Sequence, residues 1–213
     1  MGVFAALGTA LCWAIAARLF RETGNAFSPL TMNFWKGLIS IAILAVVLVV
    51  VQPTGLSTHA ILWLLLSGLI GIGIGDTCFF KALQSIGDSQ AVLVAETLAP
   101  LFTALFAMAF IGEWITWQQW VGVAVVLFSV DMVIKVRKRS TTHVFATSGY
   151  LYGVGAALCQ AVGAVVSRDI LSAGEIDAAS AAFLRLIGGM IFVVPFIAIT
   201  KTRYMPVINY QSN

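Results

Sequence analysis

The sequence has few charged residues. Only 10% of its 213 residues are Asp, Glu, Lys or Arg, whereas soluble proteins average about 25%. This shortage excludes an ordinary soluble domain. With a net charge of +3, the chain also lacks the concentrated basic surface that nucleic-acid binding requires. Because 60% of the residues are hydrophobic, the composition predicts a protein that crosses a membrane several times.

Histidine and cysteine are also scarce. His59 and His143 have no neighbouring ligands, and the three cysteines lie in apolar runs without metal or redox spacing. The sequence therefore predicts no metal, no cofactor and no disulfide framework. It also lacks a nucleophile paired with a base, and it has no phosphate-binding loop, so we do not expect an enzyme.

What the chain does have is a series of long apolar runs. They predict membrane helices, because roughly 20 apolar residues span the ~30 Å hydrocarbon core. Barrel strands are excluded, because they need only about 10 residues and alternate apolar with polar side chains. We therefore expect an all-α polytopic protein in the cell membrane, either a plasma membrane or an inner membrane. The seven predicted helices cover residues 2–20, 29–51, 60–82, 90–111, 117–136, 149–171 and 178–200.

A carboxylate and a proline interrupt the fourth apolar run. Glu96 is a candidate site residue, because a charge inside a membrane helix costs about 2.5–3.5 kcal/mol and normally faces a bundle interior or a cavity. Pro100 removes the N–H that would bond to the Glu96 carbonyl, which predicts a helix kink beside the acid. The other interpretation is a packing kink with a structural ion pair, and the residues alone leave both open.

Other charges fall within the second and third runs. Lys36 lies about a third of the way into the second helix, and we predict that it pairs with Glu96 instead of extending to the headgroups. Asp76 and Lys81 lie near the end of the third helix. The residues alone favour ordinary interfacial positions for these two over positions in a cavity.

Glycines mark one face of the third predicted helix. Ser67, Gly71 and Gly75 are one turn apart, which is the spacing of small residues that lets two helix backbones approach closely. The glycines lack the strand–turn–helix context of a nucleotide-binding loop. We therefore interpret Gly71 and Gly75 as packing residues.

The chain repeats part of itself. Residues 149–168 align without gaps on residues 2–21, and a two-residue insertion then brings Arg185 opposite Lys36. Such similarity indicates duplication. Because the first unit has an odd number of predicted helices, its copy would insert with inverted orientation, as in many secondary transporters. The predicted organisation is a five-helix repeat at 1–139, a polar linker at 140–148, a partial second repeat at 149–200 and a polar tail at 201–213.

Several of these features occur together in one transporter family. A cation stands in the second helix of each copy, a proline follows the acid of the fourth helix, and a Gly-Glu pair ends that helix. The residues concerned are Lys36, Arg185, Pro100, Gly112, Glu113 and, in the fifth helix, Gly122. With them the sequence resembles the EamA-type branch of the drug/metabolite transporter superfamily, over nearly the whole chain up to Thr200.

This resemblance implies a fold of two five-helix repeats around a central cavity. The present chain would contain the first repeat and the first two helices of an inverted second repeat. The resemblance also implies that Trp13, Asp76, Glu96 and Gln160 line the cavity. A small-molecule substrate and the lipid bilayer are the implied partners.

Two functions are compatible with this sequence. The first is a carrier for small polar metabolites, such as amino-acid-like solutes, that works by alternating access. Glu96 would bind a substrate ammonium group or a coupling proton, and Lys36 would be its counter-charge. The second is a truncated or split half-transporter, which would be inactive alone and would act only in a homo-oligomer or with a missing C-terminal half.

Overall fold

Seven helical rods make up the part of the chain that the computed structural model describes, which is residues 2–24, 26–51, 57–112, 114–138, 147–174 and 176–202. The α-helices are α1 (Gly2–Thr23), α2 (Pro29–Val51), α3 (Thr58–Gly68), α4 (Asp76–Ile86), α5 (Asp88–Phe106), α6 (Trp117–Lys138), α7 (Thr147–Ser172) and α8 (Ala178–Thr200). A π-helical segment at Leu69–Gly75 joins α3 to α4, and a second one at Ala107–Ile111 extends α5. We call the continuous rod Thr58–Ile86 the central helix.

The predicted all-α polytopic fold is confirmed. Five rods are long and apolar enough to cross a membrane: Pro29–Val50, Thr58–Ile86, Asp88–Ile111, Thr147–Ser172 and Ala178–Thr200. The other two, α1 and α6, have 22 residues each. At 1.5 Å per residue they extend about 33 Å, which also matches the hydrocarbon core.

Parts of the predicted organisation lie outside the described residues. These parts are Glu113, most of the predicted linker and the tail beyond residue 202. The helix α7 begins at Thr147, two residues before the predicted start of the second repeat.

The central helix packs between α7 and α8, the two helices of the predicted second repeat. It contacts α7 and α8 along most of its length, while α7 also packs on α5 and α8 on α2. The helix α1 contacts α4 and α5, and α6 contacts α5. The helices α7 and α8 therefore pack into one bundle with the central helix, α2 and α5.

Glycine allows the central helix to touch α8. A Cβ atom at Gly68 would lie 1.8 Å from the carbonyl oxygen of Arg185, and one at Gly188 would lie 2.0 Å from the carbonyl oxygen of Leu65. No side chain fits at either distance, so the two backbones are in direct contact. Lipid tails are as apolar as leucine, so membrane helices associate largely through such close packing.

The opposite contact, with α7, combines glycine with buried hydroxyl groups. A Cβ at Gly163 would lie 3.1 Å from the Cα of Gly71, and one at Gly75 would lie 3.1 Å from the Cβ of Cys159. The buried Ser67 hydroxyl donates to the Gly163 carbonyl at 2.8 Å and also hydrogen-bonds the Ser167 hydroxyl at 2.9 Å. The face of small residues predicted for the third helix thus packs against α7.

The start of α8 is fixed by a side-chain cap. Asp177 accepts hydrogen bonds from the backbone N–H groups of Ala179 and Ser180, each at 2.9 Å, and from the Ser180 hydroxyl at 2.6 Å. These bonds stabilise the carboxylate and hold the pKa of Asp177 below its usual value. The cap satisfies free N–H groups of the first turn and sets where α8 begins.

We expect Gly68→Ala to destabilise the protein, because the added methyl group would overlap the backbone of α8. Overpacking of this kind costs about 1–3 kcal/mol. The control is Gly122→Ala in α6, where nothing lies within 4 Å of the added atom. Unfolding of the purified protein in detergent measures the difference, and equal stabilities of the two variants would contradict a direct backbone contact between the central helix and α8.

Candidate functional site

Four charged side chains of the membrane helices come together inside the bundle. They are Lys36 of α2, Asp76 at the start of α4, Glu96 of α5 and Arg185 of α8. Asp76 links them, because it is ion-paired with Lys36 and interacts electrostatically with both Glu96 and Arg185. Asp76 is only 6% exposed. Its expected interfacial position is therefore wrong, because α7 and α8 cover this part of the central helix.

Lys36 and Asp76 form the direct ion pair of this group. The exposed fractions of their side chains are 18% and 9%, and the Lys36 ammonium also lies 5.7 Å from the centroid of the Phe80 ring. The predicted pairing of Lys36 with Glu96 is thus wrong. Two acids were available to Lys36, and the packing of α2 beside α4 brings Asp76 to it.

Glu96 has a neutral partner. The indole N–H of Trp13 donates to Glu96 Oε1 at 2.7 Å, and the Trp13 ring stacks on Phe79 with centroids 5.7 Å apart. Stacking restrains the indole, which can only donate, so the bond to Glu96 fixes one carboxylate oxygen. The structure therefore brings together two of the residues that the family resemblance implied.

Glu96 borders a cavity of about 800 Å³ between α5, α6 and α7. Gln160 and Pro100 line the same cavity, and so does Arg168. Cavities of roughly 300–1,000 Å³ hold small ligands in proteins. The predicted site residues Glu96 and Gln160 thus face one space, while Lys36 borders a different one.

The second cavity, of about 500 Å³, lies between α2, the π-helical segment and α8. Lys36 and Arg185 supply its charges, and Ser40 adds a hydroxyl group. Arg185 was noted in the sequence only as the counterpart of Lys36 in the repeat. Its place beside Lys36 depends on the packing of α8 on α2, which the sequence does not disclose.

Asn33 holds the irregular part of the central helix next to Asp76. Its amide Nδ2 donates to the carbonyls of Ile72 at 2.8 Å and Gly73 at 3.2 Å, and to the Thr77 hydroxyl at 3.0 Å. A π-helical segment departs from the regular bonding pattern, and backbone groups in a membrane must be satisfied within the protein. Asn33 provides that bonding for the Ile72 and Gly73 carbonyls. Sequence reasoning missed it, although an amide three residues before Lys36 in an apolar run was a usable signal.

The helix α5 continues through Pro100. The predicted kink at this residue remains a prediction, and Pro100 lies on the wall of the Glu96 cavity. Within the described ranges, no three His, Cys, Asp or Glu side chains come together as a metal site.

The fold and the site define a polytopic membrane protein that keeps charged side chains beside cavities inside its helical bundle. The sequence profile of the EamA-like transporter family matches residues 1–134, which is more than half of the chain. The chain belongs to the EamA-like transporter family. The resemblance seen in the sequence is thereby confirmed.

Two named relatives are transporters. The chain is similar to the pseudopaline exporter CntI of Pseudomonas aeruginosa, strains UCBPP-PA14 and PAO1, at 27% identity over 156 residues, which is 73% of this chain and 54% of the exporter. It is also similar to an uncharacterized transporter in the cobO 3′ region of Sinorhizobium sp., at 27% identity over 124 residues, covering 53% of this chain and 86% of that protein. The chain spans about half the length of the exporter that it matches.

We expect a double-mutant cycle on Lys36 and Asp76 to give a large coupling energy. Each single alanine variant leaves a buried charge without its partner, which costs about 3–5 kcal/mol, and the double variant should cost much less than their sum. The control cycle uses Arg18 and Glu22, whose exposed pair should couple by only about 0–1 kcal/mol. Unfolding in detergent measures both, and similar couplings in the two cycles would contradict the buried pair.

Replacing Asn33 with alanine should loosen the π-helical segment. The variant leaves the Ile72 carbonyl without its side-chain donor, at a cost of about 1–3 kcal/mol, while the Gly73 carbonyl keeps the Thr77 hydroxyl as a donor. The rate of backbone amide hydrogen exchange, measured by mass spectrometry, should increase in the peptide that covers residues 69–77. Gln118→Ala removes an exposed amide of α6 and should leave exchange unchanged. Equal exchange in the two variants would refute the role assigned to Asn33.

Proposed function

We propose that the chain carries small polar metabolites across the cell membrane by alternating access, with Glu96 binding a cationic group of the solute or a coupling proton. The observation that carries the proposal is the Trp13–Glu96 hydrogen bond at the wall of a cavity large enough for a small metabolite. The relatives named as transporters support the same class of function.

The chemistry of Glu96 fits this role. An ionised carboxylate has two oxygens that can each accept more than one hydrogen bond. Trp13 engages one oxygen, and no described lysine or arginine forms an ion pair with Glu96. The carboxylate therefore keeps acceptor capacity for an ammonium group or a proton. A carboxylate at membrane depth is a default functional candidate for this reason.

The central helix is the element that we expect to support alternating access. It separates the two cavities in the helix packing, since one lies between α5, α6 and α7 and the other between α2 and α8. Its π-helical segment departs from regular α-helical bonding, and two of its carbonyls also accept hydrogen bonds from Asn33. In many transporters interrupted helices form the substrate site, and the surrounding helices move around that site during alternating access.

A subunit role remains the second candidate function. It is supported by the 54% of the exporter that the chain covers. In this case transport would require a second copy or a second polypeptide. Crosslinking in native membranes tests it, and a strictly monomeric chain that transports would exclude it.

We expect Glu96→Gln to abolish transport without affecting insertion into the membrane. The assay is exchange of labelled zwitterionic metabolites by proteoliposomes that contain the purified chain. The control is Glu22→Gln, an exposed acid of α1, which should transport like the wild type. Trp13→Phe removes one charge-assisted hydrogen bond and should weaken apparent affinity by about tenfold. Unchanged transport by Glu96→Gln would remove Glu96 from the mechanism.

A further inference from the structure

Arg185 carries a positive charge that forms no ion pair with any described residue. The ion pairs among these residues are Arg18–Glu22, Arg21–Asp88 and Lys36–Asp76. Asp76 interacts with Arg185 through space, but its carboxylate is already bound by Lys36. The Nε atom of Arg185 is buried and has no hydrogen-bond partner among the described residues.

An unpaired donor of this kind is costly in a membrane. A buried charge that lacks a partner destabilises a protein, and polar groups inside proteins are nearly always hydrogen-bonded. A guanidinium group has five N–H donors and no acceptor. The missing partner must therefore be an acceptor, and a negatively charged one compensates the charge as well.

The surroundings of Arg185 leave room for its guanidinium group. A Cβ atom at Gly71 would lie 3.4 Å from the Nη2 atom of Arg185, and one at Gly163 would lie 3.3 Å from it. Larger residues at these positions would crowd the guanidinium. The two glycines thus serve the cation as well as the packing of the central helix on α7.

The cavity beside Arg185 has the electrostatics of an anion site. Its volume is about 500 Å³, and its lining contains two cations, Lys36 and Arg185, and the hydroxyl group of Ser40. Among the described residues, no acid is in that lining. With Lys36 compensated by Asp76, Arg185 supplies the uncompensated charge of this lining.

We propose that this cavity binds an anionic group, a carboxylate or a phosphate, through Arg185 with Lys36 beside it. A planar guanidinium binds such groups through two parallel hydrogen bonds. The assignment of that group to the transported solute rests on the proposed function. The carrier would then select solutes that bear a carboxylate or phosphate. A lipid headgroup is the other source of the same chemistry.

Binding to the purified chain tests the site directly. The chain is placed in nanodiscs of phosphatidylcholine, with or without phosphatidylglycerol. It is titrated with acetate, succinate, glutamate and inorganic phosphate, and succinamide is the uncharged comparison. Tryptophan fluorescence during thermal unfolding gives the apparent affinity. The variants are Arg185→Gln and Arg185→Lys. The matched control is Arg18→Gln, which removes an exposed arginine of α1.

We expect at least one anion, but not succinamide, to stabilise the wild type. Arg185→Gln should weaken that binding by about tenfold or more, Arg185→Lys should weaken it less because the charge remains, and Arg18→Gln should leave it unchanged. If stabilisation instead requires phosphatidylglycerol in the nanodisc and depends on Arg185, the anionic group is that of a lipid. If no anion stabilises the wild type in either lipid, or if Arg185→Gln binds as the wild type does, the site does not exist.

The same variants separate this inference from the proposed function. A chain that binds anions through Arg185 but transports nothing would overturn the transport proposal and leave the site intact. A chain that transports through Glu96 while Arg185→Gln changes neither binding nor solute preference would overturn the anion site alone.

Discussion

The rest of the structure depends on the direct backbone contact that the central helix makes with α7 and α8. In a bilayer no hydrophobic effect drives one apolar helix onto another, so association relies on close packing and on hydrogen bonds between helices. Gly68 and Gly188 provide that packing on the α8 side, where carbonyl oxygens occupy the space of a side chain. On the α7 side, Ser67 adds buried hydrogen bonds. Side chains at Gly68 and Gly188 would separate the helices and expose the residues that are buried between them.

The buried charges are a consequence of that contact. Asp76 follows the glycine-rich segment directly, so the same packing that brings α7 and α8 onto the central helix also removes Asp76 from water. Burial of a carboxylate is tolerable only with a partner, and Lys36 supplies it. Asn33 then compensates for the irregular backbone before Asp76. Close packing, an irregular segment and an ion pair are thus parts of one arrangement, and the two cavities lie beside it.

Much of this fold could be predicted because its signals are local. Long apolar runs predict rods whatever surrounds them, and the spacing of Ser67, Gly71 and Gly75 indicates a packing face within a single helix. The partners of Lys36 and Glu96 could not be predicted in this way. They depend on how neighbouring helices are rotated, and each one-residue step turns a side chain by about 100° around a helix. The π-helical segment has no comparable sequence signal, so the carbonyls that Asn33 binds could not be predicted, although its amide within an apolar run was itself a signal.

Oxidative crosslinking in membranes tests the contact between the central helix and α7 most directly. A Cβ at Gly75 would lie 3.1 Å from that of Cys159, close to the roughly 3.5–4.5 Å separation that a disulfide spans. With Cys12 and Cys78 changed to serine, Gly75→Cys should form a disulfide with Cys159 on mild oxidation, detected by peptide mapping. Gly8→Cys, at a site with nothing within 4 Å, should not. The contrary result is that both thiols of the Gly75→Cys protein can still be alkylated after oxidation and denaturation. In that case the central helix does not lie against α7, and the close packing that buries the charges does not exist.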